Sequence, residues 1–182
     1  MRFAAAVLAL AVLASPAMAA HWTVEPPSKL GFSVIWSAEP LLGEFKRWTA
    51  DIEFDPADLA RSHVVATIET GSVVTDYPDG DDGLKGALGF ASDRFPTARY
   101  EASAFRHLPD GSFMADGHLT IRGITRPLAL PFKLVIQGDR AHMTGKATLL
   151  RTDFGVGQGE WAAPQPVAHQ VTVTVDLVAT RH

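Results

Sequence analysis

FMADGHLTIRGITRPLALPFKLVI, residues 113–136, is the stretch that decides the fold. Phe113, Ala115, Gly117, Leu119 and Ile121 fall on alternate positions, with Asp116, His118, Thr120 and Arg122 among the residues between them. After Gly123 the alternation resumes through Leu128, Leu130, Phe132, Leu134 and Ile136. Successive side chains of a β-strand point to opposite faces, so a period of two with one apolar phase predicts half-buried strands. Antiparallel hairpins are the natural connection between them.

The same pattern extends in both directions. Downstream, Gln137-Gly138-Asp139 turns the chain into Ala141, Met143, Gly145, Ala147 and Leu149, and the last run sets Val171, Val173, Val175 and Leu177 against Thr172, Thr174 and Asp176. Upstream, Pro109-Asp110-Gly111 is a turn, because Pro presets φ and Gly accepts a positive one. Before it Ala98, Tyr100, Ala102 and Ala104 alternate with Arg99, Glu101 and Ser103, and Val64, Ala66 and Ile68 alternate with Thr67 and Glu69. Phe45, Ile52 and Phe54 read as a long second strand stopped by Asp55-Pro56. Leu30, Phe32, Val34 and Trp36 form the apolar face of a first strand that starts near Ser28. The total is about eight strands, enough to close a barrel. Two stretches break the alternation: Asp79 to Phe90, with acidic residues first and Leu84 and Leu88 four apart, predicts a short capping helix, and Thr152 to Ala168, rich in Gly and Pro, predicts a long loop.

The chain has 182 residues, 47% hydrophobic, with 16 Lys+Arg against 20 Asp+Glu and no Cys. Such a composition describes one globular domain and excludes disordered and collagen-like classes. A net charge of −4 without clustered Lys/Arg argues against nucleic acid as a partner. The absence of Cys removes disulfides, zinc-thiolate and Fe–S centres, covalent haem and thiol nucleophiles. Residues 1–19 read as a secretory signal: Arg2, an apolar run from Phe3 to Ala14, and an A-x-A site at Ala17-Met18-Ala19, with Ala20 as an alternative cut. That run is too short to span a bilayer. The mature chain, residues 20–182, is then a single exported domain, in the periplasm if the organism is Gram-negative, with no stable membrane insertion.

A closed eight-stranded sheet either fills its interior or holds one small ligand. Small residues on the inner phase (Ala98, Ala102, Ala104, Ala115, Gly117, Ala141, Gly145, Ala147) favour a cavity, while sandwich packing from the opposite side is the alternative. Aromatic residues on the inner phase, Phe32, Trp36, Phe45, Tyr100, Phe113 and Phe132, together with Phe90, Phe95 and Phe154 near the loops, are the candidate pocket lining. Lys85, Arg94 and Arg99 are candidates to meet a ligand head group, with solvated surface charge as the ordinary alternative.

The seven histidines show no short ligand spacing, so no metal site is expected. A cut after Ala20 would make His21 the N-terminal residue, able to chelate copper through its amine and ring. No nucleophile motif is present and no catalytic residue is assigned. Arg151 and Asp153 with Glu160 are the best alternative for a site. They form either an ion pair at a barrel mouth or a structural tie for the Gly155–Gly159 loop.

Several segments in order carry a resemblance. They are Trp22-Thr23-Val24-Glu25 with Ser28-Lys29-Leu30-Gly31-Phe32, then Gly43-Glu44-Phe45, Ile52-Glu53-Phe54-Asp55-Pro56, Phe95-Pro96-Thr97-Ala98, the run Gly117 to Pro127, and Arg151-Thr152-Asp153-Phe154-Gly155. This set resembles the YceI-like family over essentially the whole mature chain. The resemblance implies an all-β, lipocalin-like eight-stranded antiparallel barrel with a short capping helix. It also implies export to the periplasm and an elongated interior pocket binding an isoprenoid lipid, either a long-tailed quinone or a polyprenyl phosphate. It implies no catalytic residues; no cofactor is expected, and the partner expected besides the lipid is at most a second copy, so that the protein is a monomer or homodimer. A structural or stress-related interaction module with an incidental cavity, or an enzyme acting on an apolar substrate, are the alternatives.

Overall fold

The computed structural model describes residues 20–182; the expected signal segment, 1–19, lies outside the described residues. Ten strands follow one another: β1 His21–Trp36, β2 Glu39–Phe45, β3 Trp48–Glu53, β4 His63–Glu69, β5 Val73–Thr75, β6 Thr97–His107, β7 Phe113–Ile121, β8 Ile124–Gln137, β9 Arg140–Leu150 and β10 Val167–Arg181. A single short helix, α1 Asp81–Lys85, lies between β5 and β6. Every pairing is antiparallel. The order β1-β3-β4-β6-β7-β8-β9-β10 returns to β1 through the β10–β1 ladder, from Trp22 opposite Arg181 to Trp36 opposite Val167. The ring therefore has eight positions.

The two extra strands are continuations. β2 extends the line of β3 and pairs with the second half of β1, and β5 pairs with β2. The break at Lys46 and Arg47 resets the alternation, which is why Phe45 and the even-numbered Trp48, Ala50 and Ile52 all face inward. The first strand also begins earlier than its apolar run suggested, at His21 rather than near Ser28.

A bulge corrects the reading of β6. The register shifts between Ala102 and Ala104, leaving Ala104 exposed and turning Phe105 toward the interior. An extra residue on one strand inverts the phase of everything after it. The glycines also differ from expectation, since they make room for neighbours instead of opening space. A Cβ on Gly117 would lie 2.6 Å from the Tyr100 hydroxyl, and one on Gly43 would run into the Phe32 ring.

The barrel has two unlike ends. Short turns, Gly138-Asp139 among them, and both described chain ends lie at the foot. The two long connections, residues 70–96 and 151–166, cover the other end. At the foot Trp22, Phe54, Phe113 and Phe132 are 3 to 7% exposed, and the Trp22 indole N–H donates to the Phe54 carbonyl at 2.9 Å. Phe54 meets Phe105, Phe113 and Phe132 at centroid distances of 5.3, 5.6 and 5.8 Å, and Phe113 stacks on Phe132 at 5.4 Å. Edge-to-face and offset arrangements of this kind are the favourable ones for aromatic rings. Among the described residues no helix is long and apolar enough to cross a membrane.

Candidate functional site

Above the aromatic foot the interior is hollow. A cavity of about 270 Å³ runs up the barrel from Trp22 and Phe54 to Leu84, Phe90 and Val156. Its wall is made of inward-facing residues from all eight ring positions. Many of these, including Leu30, Phe32, Val64, Ala66, Leu128 and Val173, are only half-buried although they point to the barrel axis. A filled barrel would bury them completely, so their exposed surface is cavity wall. The small residues that line the lumen are mostly alanines, among them Ala66, Ala98, Ala115, Ala141 and Ala147. Phe32, Phe45 and Phe90 form a loose chain near the loop end, with centroids 5.8 and 5.5 Å apart.

Polar groups in the wall are already engaged. The Tyr100 hydroxyl lies 3.2 Å from the Ala115 carbonyl and 3.3 Å from that of Leu128, acceptors for its single proton. Burial, and after it the negative charge of Asp116, push the Tyr100 phenol up to about 12, so it stays neutral at any physiological pH. Arg151, 5% exposed, is the charged residue of the wall. Its Nε donates to the Ala168 carbonyl at 3.0 Å, Nη1 to Val156 and Gly157 at 3.0 and 3.2 Å, and Nη2 to Trp161, Ala163 and Val167 at 2.6, 3.2 and 2.8 Å. Desolvation lowers its pKa from the usual guanidinium value. Gly157 is required beside it: its φ is +79°, and a Cβ there would overlap the guanidinium.

This arrangement corrects the expected pairing of Arg151 with Asp153. No carboxylate approaches the guanidinium within ion-pair distance among the described residues, and its partners are main-chain carbonyls of residues 156–163 in the covering loop and of Val167 and Ala168 at the start of β10. Arg151 does tie the loop down. It does so by taking carbonyls of the loop, which has no sheet ladder of its own, and joining them to the first residues of β10.

Of the nine aromatic candidates, Phe32, Phe45, Phe90, Tyr100 and Phe132 stand in the cavity wall. The other four do not. Trp36 packs edge-on against Tyr77, with centroids 4.7 Å apart, at the loop-end tip of β1 after the register shift that follows Val34. Phe95 is sandwiched outside by Arg94 and Arg122, at 5.3 and 5.8 Å. Phe113 belongs to the sealed foot, and Phe154, 2% exposed, packs with Ile68, Leu119 and Val156 behind the wall. The head-group candidates also lie outside. Lys85 is 4.0 Å from Asp82, Arg94 covers Phe95, and Arg99 pairs with Glu101 on the outer face of β6. Their alternation phase already put Arg99 and Glu101 on the same outward side. The aromatic wall residues missed from sequence are Trp22, which precedes the recognised alternation, Trp48 and Phe54, which follow the break at Lys46 and Arg47, and Phe105, which follows the bulge.

The histidines sit on the outer surface. His21 lies 3.7 Å from Asp51, His63 lies 3.5 Å from Glu53 and His142 lies 2.8 Å from Asp176, all solvent-facing. Among the described residues no group of three or more His, Asp or Glu side chains is arranged to hold a metal.

A closed eight-stranded antiparallel barrel with a hollow, apolar interior is the architecture of the lipocalin-like class. Within it, the YceI-like domain model matches residues 22–179, and the chain belongs to that family. It is 32% identical over 133 residues to a UPF0312 protein of Pseudomonas aeruginosa, covering 70% of this chain and 69% of the relative. It spans about two thirds of the length of several such curated relatives. The crystal structure of Burkholderia cenocepacia BcnA superposes with a TM-score of 0.81 at 29% identity, over 84% of this chain and 96% of that one. A polyisoprenoid binding domain from Saccharophagus degradans, implicated in plant cell wall breakdown, shares the fold with a TM-score of 0.67 at 12% identity, over 91% and 100% of the two chains.

Proposed function

We propose that this protein binds and carries or sequesters an isoprenoid lipid, a long-tailed quinone or a polyprenyl phosphate, inside the barrel, and does so in the periplasm after removal of the signal segment. The observation that carries the reading is the wall itself. It is apolar along its length, and its polar groups, Tyr100 and Arg151, already have main-chain partners. A wall without free donors has no affinity for sugars, nucleotides or amino acids, because each of their buried polar groups would lose water without replacement. Hydrocarbon pays no such penalty. The polyisoprenoid-binding domain of the same fold supports the choice of an isoprenoid among hydrocarbons.

Binding and not catalysis fits the same residues. Catalysis needs a group free to attack, donate or accept at a bound substrate. The wall presents none. Energetics fit a carrier as well. Burying about forty carbons at ~0.8 kcal/mol each would give ~32 kcal/mol from water, above the ~20 kcal/mol ceiling for non-covalent binding. A lipid drawn from a membrane leaves an environment as apolar as the cavity, so most of that gain cancels and exchange stays reversible.

The test is mass spectrometry of an organic extract of the purified protein, with the intact mass measured in parallel. A stoichiometric prenylated species and a mass matching cleavage after Ala19 or Ala20 are expected. Protein that carries no such species and fails to take up added ubiquinone or polyprenyl phosphate overturns the reading.

A further inference from the structure

The cavity has to exchange its contents somewhere, and the wall limits where. At the foot, the Phe54 cluster closes the lumen. Around the barrel, antiparallel ladders join each strand to the next, and the shortest, the two β1–β3 pairs His21–Glu53 and Trp22–Ile52, lies at the foot beside Trp22 and Phe54. At the loop end two segments from distant parts of the chain meet over the lumen, one spanning residues 81–91 and the other 155–161. Each sends a side chain into the wall, Leu84 and Phe90 from the first and Val156 from the second.

The seam between them is thin. The Leu88 carbonyl accepts the N–H groups of Gly157 at 2.8 Å and Gln158 at 2.9 Å. Arg122, in the β7–β8 turn, reaches across to the carbonyls of Ala87, at 3.0 Å, and Gly89. Gly83 lies against the Trp161 ring. By contrast, the 81–91 segment is firmly built within itself and at one edge. Phe90, Ala91 and Ser92 donate back to Leu84, Gly86 and Lys85 at 2.7, 2.8 and 2.9 Å. The Asp81 carboxylate, 8% exposed, accepts the N–H and hydroxyl of Thr75 at 2.9 and 2.7 Å. A compact unit pinned on one side and lightly held on the other has a natural direction of motion.

We propose that residues 81–91 form a gate hinged at the Asp81–Thr75 contact, opening along the Leu88 seam, and that Arg122 is the latch that holds it shut. The inference rests on the lumen being the binding site. Seven of the eight ring interfaces are ladders of six or more residue pairs and the short β1–β3 one sits against the packed foot, whereas the seam yields with two main-chain bonds to one carbonyl and one guanidinium clamp. Elements that move to admit ligands come from the less stable parts of a fold.

The native chain contains no Cys, so the pair Leu88→Cys and Gln158→Cys gives a lock that a reductant reverses in the same molecule. Stopped-flow fluorescence of N-phenyl-1-naphthylamine reads entry, and dilution reads release. The oxidised protein is expected to exchange the probe at least about tenfold more slowly than after reduction. Arg122→Asn removes the latch while keeping a residue that tolerates the φ of +52° at this turn. It is expected to speed entry and release together by about fivefold, leaving their ratio within about twofold. Equal rates in oxidised and reduced protein, with Arg122→Asn matching the wild type, overturn the gate and leave the cavity reading intact. A wild-type protein that takes up neither this probe nor an added isoprenoid overturns both.

Discussion

At the foot of the barrel Phe54 touches three other phenylalanine rings and Trp22 is tied to the Phe54 carbonyl, whereas at the loop end Phe32, Phe45 and Phe90 touch one another only in single file around the lumen. The same residue type therefore does two jobs. Rings converging from β6, β7 and β8 and from just beyond β3 fill the axis and carry stability; rings spaced along one side of the axis leave a surface that a hydrocarbon can cover. The loop end makes up for its looser packing with polar interactions. One buried arginine holds four carbonyls of the covering loop and two at the start of β10, and Arg122 holds two more of the opposite segment.

That contrast is open to direct attack. Phe54→Ala empties the centre of the foot and is expected to cost about 3–5 kcal/mol in urea unfolding. A loss below about 1 kcal/mol would mean that the foot is not the packed end. Arg151→Lys keeps a charge but replaces a planar fork with a point donor, leaving several carbonyls bare. A loss of about 2–4 kcal/mol is expected, with faster amide exchange confined to residues 155–168 while the foot stays protected. Exchange that rises equally at both ends would erase the distinction drawn here.

Tyr100→Phe probes the middle of the wall. Removing the hydroxyl is expected to cost about 1 kcal/mol near neutral pH. The pH profile sharpens the result. Tyr100 ionises near 12 in the fold against 10.0 in the unfolded chain, so its contribution is complete below pH 10 and is lost as the pH rises toward 12. The variant should therefore lose less stability than the wild type over that window, as followed by unfolding midpoints. The smallest effect belongs to Arg99→Ala. Arg99 lies on the outer face against Glu101, so stability should change by no more than about 0.5 kcal/mol and lipid affinity should not move, even for a phosphate-headed ligand.

Much of the barrel could be read from the chain because a period of two is a local property. Runs such as Leu128 to Ile136 announce which residues share a face without reference to any partner. The failures have local causes that composition does not reveal. The bulge at Ala102 and Ala104 reverses a phase, the break at Lys46 and Arg47 joins two phases, and both depend on how neighbouring strands line up. Gly117 and Gly145 looked like open space, yet each accommodates a side chain from an adjacent strand, Tyr100 in one case and Leu130 in the other. The wall was legible where candidates lay inside strands, as with Phe32 and Tyr100. It was less legible at strand ends, where Trp36 and Phe113 fall outside the wall, and in the loops, where no alternation separates Phe90, which enters the wall, from Phe95 and Phe154, which do not. The partners of Arg151 lie 5 to 17 residues away, in an irregular loop and the start of the strand after it, so only the three-dimensional path reveals that they are carbonyls.

The most direct test of the account fills the lumen without disturbing the foot. Ala66 is a half-buried wall residue on β4, opposite Tyr100 of β6 in register. Ala66→Phe puts a ring where ligand carbon would lie. Titration of the purified variant with an isoprenoid quinone, alongside its unfolding midpoint, gives the answer. The account predicts a folded protein, at least as stable as the wild type, that no longer takes up the lipid. Unchanged uptake by a folded Ala66→Phe protein would contradict it, because the lipid would then be bound somewhere other than the barrel interior.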